Sequence, residues 1–359
     1  MHVPGQFGES RKLVQALSDA CAWINRSIVE SKSGNPISIG QLPSLLSLPV
    51  NTWLPQGLER PLLEDGVLSI ECVELAEAAG KDPVQEHEQA LMLQVMEYLR
   101  ASETPDERYC AFRRALIQAP TIRELQAIKL AVSGGLAALD LFTKFAHHDL
   151  FEVDGKTRFY PCPLCEYPMR IRIIKSRATA RSKSRMDFVC CASVRCRAAG
   201  ADFQLFPDGS LLALGNLACP DAVSPGGMLK LKQGLWRYTL LPGQVELELA
   251  EQLKSVNANR SSEKKIQVLL WPQLDLYDLD VRVAGRVWRV DVKDYSLPYF
   301  LAKRLDENVD RKLVSHKLSI VIPNDKSWQV DELKRFCVQQ EFYEFFTVDS
   351  FIQRVTANV

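Results

Sequence analysis

The sequence predicts a multidomain α+β chain in three parts: a helical N-terminal domain over residues 1–150, a cysteine zinc ribbon with a basic loop over 151–220, and a C-terminal α/β domain over 221–359. Three observations predict it. A chain of 359 residues exceeds the usual single domain, so two or three compact units are expected. Apolar residues recur at three- and four-residue steps before residue 150, whereas two-residue alternation dominates several segments after 221. Between those regions lie six of the ten cysteines, a concentration that points to a metal site.

Charge and hydropathy narrow the partners. With 44 basic and 44 acidic residues the net charge is zero, so any affinity for nucleic acid must come from local patches. The first residues, "MHVPGQFGESRKLVQ", lack the charged-then-apolar pattern of a signal peptide, and no apolar run approaches a membrane span. A cytoplasmic protein without membrane contact is the expectation, and there cysteines rarely pair as disulfides.

In the first part, "SRKLVQALSDACAWINRSIVE", "QEHEQALMLQVMEYLRA" and "ERYCAFRRALIQA" read as amphipathic helices, separated by turn-rich pieces such as "SGNP". The stretch "SIGQLPSLLSLPVNTW" has the outline of a helix-turn-helix. Short helices around prolines are the commoner reading, so no DNA-reading helix is assigned there.

In the second part, Cys162 and Cys165 form C-P-L-C, a spacing that lets a tight turn aim two thiolates at one ion. The group "CCASVRC" supplies the other lobe. Cys196 is its firmest ligand, and Cys191 is preferred to Cys190; on a strand those neighbours point to opposite faces, so only one can contribute. Cys219 is a reserve. Buried free thiols are the alternative, but the paired clustering favours Zn2+, and four thiolates leave it no open position, so the metal would be structural. Within the ribbon, "MRIRIIKSRATARSKSRMD" carries seven cations before its first acid. Arg177, Arg181, Lys183 and Arg185 are the candidates for sequence-independent phosphate contact, against the plainer reading of a solvated loop.

The third part begins with a strand-like "KQGLWRYTLL" and a Pro-Gly turn, followed by the helical "QVELELAEQLKSV". Strands are expected around "KIQVLLWP", "DLDVRVAG", "RVWRVDVKD" and "LSIVIP", a helix over "PYFLAKRLDENVDRKL", and a helix-rich end. Trp271, Trp288 and Tyr295 read as packing residues. Alternation puts Val290 and Val292 on one face and Asp291 and Lys293 on the other, with Asp278 and Asp280 sharing one face of the preceding strand. A tight turn at Ala284-Gly285 would set Asp278 opposite Asp291 and Asp280 opposite Arg289, leaving Asp280 diagonal to Asp291 and within reach of a shared ion. Carboxylates so gathered repel one another unless a cation neutralises them. Mg2+ suits such a site, because it takes one or two carboxylates and keeps waters and phosphate oxygens. Lys293 could then orient the attacking water and offset transition-state charge. An exposed salt-bridge ladder is the competing explanation.

An acid, a short hairpin and then D-x-K resembles the PD-(D/E)xK nuclease superfamily. More narrowly, the helical front, the cysteine ribbon, "LLPGQVELEL", "LLWPQLDLYDLD" and "WRVDVKDY" resemble the restriction-endonuclease-like protein encoded beside prokaryotic PIWI proteins and a helicase in defence islands. The resemblance implies a restriction-endonuclease-like core in which Asp280 and Asp291 bind Mg2+ or Mn2+ and Lys293 assists attack. A helix glutamate, Glu246 or Glu248 ahead of Glu251, would join them. No proline directly precedes Asp280, and Asp278 competes for its role. The implied function is a metal-dependent DNA endonuclease acting against foreign DNA with partner proteins, and cutting both strands would call for a homodimer. A catalytically inactive zinc-ribbon subunit that binds nucleic acid or serves as a scaffold is the alternative, and cleavage with a divalent ion discriminates the two.

Overall fold

The computed structural model describes residues 83–153, 155–175, 185–261, 264–295, 297–307 and 317–357, together with the short antiparallel strands Leu63–Glu64 and Val67–Leu68. The possible helix-turn-helix, and Arg177, Arg181 and Lys183 of the basic loop, lie outside the described residues. The chain divides into a compact unit over Met1–Gly80 and another over Lys81–Val359. The second unit is mixed α/β. Among the described residues no helix is long and apolar enough to cross a membrane.

Helix α1 (Pro83–Arg100) buries Leu91, Met92, Val95 and Leu99, a stripe at helical spacing. Helix α2 (Pro105–Ile117) opens on a proline with two acids in its first turn, all three well suited to a helix N-terminus. It buries Tyr109, Phe112, Arg113, Leu116 and Ile117. Helix α3 (Glu124–Ser133) follows, and a small sheet sets Met228–Leu231 between Thr121–Arg123 and Phe142–Thr143.

The ribbon is an antiparallel meander of β1 (Arg170–Lys175), β2 (Arg185–Cys190), β3 (Asp202–Leu205) and β4 (Leu211–Ala213), with the short helix α4 (Val194–Ala198) between β2 and β3. Beyond it the structure departs from the expected strand at "KQGLWRYTLL". After Lys232 the backbone turns helical, passes through a π-helical turn at Trp236–Leu240 and runs straight into α5 (Leu241–Ser255). Leu235, Trp236 and Leu240 all point inward, and Trp236 stacks on Tyr167 of the ribbon. Pro242 falls where the π-helical turn gives way to α5, so the turn before it is not the regular α-helical one that its ring would break. Gly243 is there for proximity: a Cβ would collide with Ile117 of α2, so α2 and α5 pack closely.

A five-stranded sheet completes the fold: β5 (Gln267–Leu270), β6 (Leu279–Val283), β7 (Arg286–Val292), β8 (Leu318–Ile322) and β9 (Tyr343–Thr347), in that spatial order. Strands β5, β6 and β7 are antiparallel, whereas β7, β8 and β9 are parallel. Helix α6 (Pro298–Glu307) connects β7 to β8, α7 (Gln329–Phe336) connects β8 to β9, and α8 (Val348–Thr356) ends the chain. The last region therefore holds a strand, β9, where mainly helix is expected. One sheet face puts Leu279, Val281, Val290, Val292 and Val321 into a core shared with α5 and α8; the other packs Leu318, Ile320, Ile322 and Phe345 under α6 and α7. The apolar run of β8 is buried on both faces, as a strand with helices on each side requires.

Candidate active site and metal centre

The hairpin β6–β7 has the expected register. Ala284 and Gly285 take positive φ of 48° and 78°, the pair a tight two-residue hairpin turn needs, and Asp280 pairs with Arg289. Asp278 extends the ladder past the end of β6: its N–H donates to Val290 O at 3.0 Å, and its Oδ2 accepts the Val292 N–H at 2.6 Å. The chain bends at this point, so Asp278 comes close to Asp291, Lys293 and Glu246. Lys293 and Asp291 form an ion pair of 2.8 Å.

Asp280 is not brought into this group. Its carboxylate accepts Arg282 Nε at 2.8 Å, Arg282 Nη2 at 3.0 Å and the Tyr277 hydroxyl at 3.1 Å. The Arg282 hydrogen bonds dominate over the burial that opposes them and hold the carboxyl below its ordinary value. The diagonal approach to Asp291 that the register permits is replaced by this local fork, with Asp278 beside Asp291 instead.

Helix phase separates the two glutamates. Residues 246 and 248 lie about 200° apart around an α-helix. Glu246 points at the sheet and is buried, whereas Glu248 is 58 % exposed and, among the described residues, meets Gln252 and, at 3.9 Å, Arg195. Glu251 is also exposed. A side chain from α2 meets Glu246: Arg113 Nη2 donates to both carboxylate oxygens, at 3.1 and 3.0 Å, and its Nη1 pairs with Asp275. Trp271, fully buried, donates its indole N–H to Glu246 and lies under the Arg113 guanidinium. Arg113, Asp275 and the indole of Trp271 have no counterpart in the sequence reading, beyond Trp271 as a packing residue. An arginine at a buried helix position is the one signal that could have marked the network.

The electrostatics of this pocket are those of too many acids. Burial raises the Asp278 carboxyl well above its usual range, and Glu246 and Asp291 push it further. Glu246 is also raised by burial, with Arg113 opposing. Lys293 is lowered by burial, but Asp291 and Asp278 outweigh this and keep it firmly protonated. With all four carboxyls ionised, Glu246, Asp275, Asp278 and Asp291 against Arg113 and Lys293 would leave an excess of two negative charges, which one divalent ion would cancel; without the ion the raised Asp278 carboxyl keeps its proton and lowers that excess. Asp278 and Asp291 are hard oxygen donors of the kind Mg2+ takes, one or two at a time, although among the described residues the cysteines alone form a gathered set of three or more possible ligands.

The cysteines are gathered more tightly. The Sγ atoms of Cys162, Cys165, Cys191 and Cys196 all lie within 4.8 Å of one another, and those of Cys165 and Cys191 are 3.7 Å apart. Sulfurs bonded to a tetrahedral zinc at about 2.3 Å stand about 3.8 Å apart, so this quartet could hold a metal such as zinc. Two knuckles aim them. In the first, Glu166 N–H donates to Cys162 O and the chain reverses through a left-handed Glu166. In the second, Ser193 N–H donates to Cys191 Sγ and the Ser193 hydroxyl caps α4 at Cys196 N. Cys190 is paired within the ribbon sheet and stands outside the quartet, while Cys219 is exposed with its thiol toward Leu211 O. His147 stands in a 3-10 turn and, among the described residues, is not one of the gathered ligands. Arg185 opens β2, next to the part of the basic loop that is not described.

No curated protein and no solved structure matches the chain. Residues 243–359, from the first turn of α5 through the five-stranded sheet to the end, match the family described as "REase associating with pPIWI_RE".

Proposed function

We propose that the chain is a divalent-metal-dependent DNA endonuclease of prokaryotic defence, working with a PIWI-like protein and a helicase in the cytoplasm. The observation that carries this reading is the buried Asp278, held by the Val292 N–H at 2.6 Å beside the Asp291–Lys293 ion pair; burial first, then Glu246 and Asp291, disfavour its ionised form. A stabilising role alone would not favour such a group, because uncompensated buried acids lower stability. A site made to receive a cation and a phosphate explains it. The family matched by residues 243–359 supports a nuclease-like role, and the mixed sheet with α5 ahead of it supports a restriction-endonuclease-like core.

Each residue has a part in that reading. Asp278, rather than Asp280, takes the place of the first acid, with Asp291 as the second, and both offer oxygens to Mg2+ or Mn2+. When bound, the ion polarises the phosphate and makes a water more acidic. The Val292 N–H holds Asp278 in place. Lys293, kept cationic by its acidic neighbours, offsets the charge that gathers on phosphate oxygens and orients the incoming water. Glu246, steered by Arg113 and Trp271, completes the acidic wall. The cysteine quartet with zinc is structural, since four thiolates close the coordination sphere, and Arg177, Arg181, Lys183 and Arg185 of the same module supply cations for DNA phosphates. Cutting both strands would take a second copy.

The test is cleavage of supercoiled plasmid by the purified chain with Mg2+ or Mn2+. Lys293→Ala and Asp278→Asn should each lower the rate by about 100-fold or more, and Asp278→Asn should cost more than Asp280→Asn. Intact plasmid with both ions, from a protein that still binds DNA, would instead favour a non-catalytic binding subunit.

A further inference from the structure

The two halves of the five-stranded sheet are covered differently. On the face that carries Asp291, α6 and α7 bury Leu318, Ile320, Ile322 and Phe345 of β8 and β9. Over β5, β6 and the start of β7 the same face is open: Gln267, Leu269, Arg282 and Val287 are exposed and Arg289 is half-buried. Register places these residues together, since Gln267 pairs with Arg282, Arg282 with Val287, and Asp280 with Arg289. An open sheet face of this kind usually carries polar residues of mixed sign. Here the charged side chains among them are two arginines, Arg282 exposed and Arg289 half-buried.

Both guanidiniums are held. Arg282 spans Asp280 through Nε and Nη2, at 2.8 and 3.0 Å, while its side chain remains 58 % exposed. Arg289 lies over the Tyr277 ring, 5.8 Å from its centre, and the Tyr277 hydroxyl donates to the same Asp280. One buried carboxylate thus anchors one arginine directly and positions the ring under the other. An exposed arginine pair gains little stability from such an arrangement, because surface ion pairs contribute about 0–1 kcal/mol. Orienting guanidiniums beforehand does lower the entropic cost of gripping an anion.

Arg289 and Asp291 share one side of β7, and Lys293 follows one residue past its end, at two-residue steps of about 7 Å each. Arg282, beside Val287, stands one step further from the acidic pocket. We infer that this bare hairpin face binds successive phosphates of a DNA strand through Arg289 and Arg282, with Asp280 as the buried anchor of the pair. The inference rests on the nuclease reading, which brings a phosphodiester to Asp291 and Lys293, and it assigns Asp280 to binding.

Binding can be read without cleavage. The full chain carrying Lys293→Ala, in EDTA, is titrated against a fluorescein-labelled DNA duplex by anisotropy at several salt concentrations. Arg289→Gln, which leaves the Asp280–Arg282 pair intact, should weaken binding several-fold and lower the slope of log affinity against log salt by about one; adding Arg282→Gln should lower it by about two. Arg282→Lys should recover most of the second step, because the phosphate needs the charge more than the fork. Lys254→Gln, on α5 across the sheet, should leave the slope unchanged. An affinity and salt slope untouched by both arginine variants would overturn the inference. If both fall as expected while the wild-type chain cuts nothing with Mg2+ or Mn2+, the phosphate site stands and the nuclease reading alone is lost.

Discussion

Asp278 carries an electrostatic cost that ties stability to pH. Its carboxyl in the folded chain titrates above the value it has unfolded, because burial, Glu246 and Asp291 all raise it. Between those two values the folded state holds a proton that the unfolded state has lost. Ion-free protein therefore loses stability as pH rises through the interval, and Glu246 acts in the same sense. Asp278→Asn removes the titration and keeps an oxygen for the Val292 N–H. In EDTA this variant should be more stable than the wild type at neutral pH, by about 1 kcal/mol or about 2–4 °C in Tm, with a flatter pH dependence by calorimetry. Arg113 behaves oppositely. Deleting it leaves Glu246 and Asp275 buried without a cation, so Arg113→Met should cost about 3–5 kcal/mol in urea unfolding. Adding Glu246→Gln should recover part of that loss, as expected of coupled partners.

At the scale of elements, α2 acts as a clamp on the segment that precedes Asp278. Trp271, Gln273, Leu274 and Asp275 all have positive φ, a costly left-handed run for side-chain-bearing residues. One face of α2 stabilises it: Asp106 accepts the N–H groups of Gln273 and Leu274 at 3.1 and 2.9 Å, the Tyr109 hydroxyl donates to Asp275, and the Cys110 thiol reaches Leu270 O. Asp106→Ala should cost about 1–3 kcal/mol and speed hydrogen exchange at the amides of residues 273 and 274, while amides of β8 stay protected. None of this is legible in sequence, because Arg113 meets its acids across 133 and 162 residues of chain. The hairpin was legible, since alternation and one Ala-Gly turn fix its register locally. Which acid of "YDLD" faces the pocket was not: alternation puts Asp278 and Asp280 on one side, and only the bend past the strand end, together with Arg282, parts them. The choice of Cys191 over Cys190 followed from its four-residue spacer to Cys196, with strand pleat allowing only one of the two, and the quartet contains Cys191.

For the molecule from residue 81 onward, the sequence shows composition changing near 150 and 220, yet one apolar cluster runs across both places. It joins Leu99 and Phe112 of the helical part, Cys162, Cys191 and Phe203 of the ribbon, and Leu249, Val281 and Phe351 of the last part. Composition reports what each stretch is made of, whereas packing decides which stretches share a core. Two contacts make that sharing specific at the site: Ile117 fills the space that Gly243 leaves open, and Arg113 neutralises Glu246. The matched segment, residues 243–359, should therefore not fold when expressed alone. It would expose the α5 surface that α2 covers and leave Glu246 buried without its arginine, a loss comparable with the whole stability of an ordinary domain. Circular dichroism and amide dispersion by NMR should find that fragment disordered or aggregated. Residues 81–359 should instead unfold in one cooperative transition, which moves to lower temperature when the quartet is broken by Cys191→Ser but far less with Cys190→Ser. Metal analysis of the same variants should find about one zinc per chain in the wild type and in Cys190→Ser, and substantially less in Cys191→Ser, because only Cys191 belongs to the set of four that a tetrahedral ion needs.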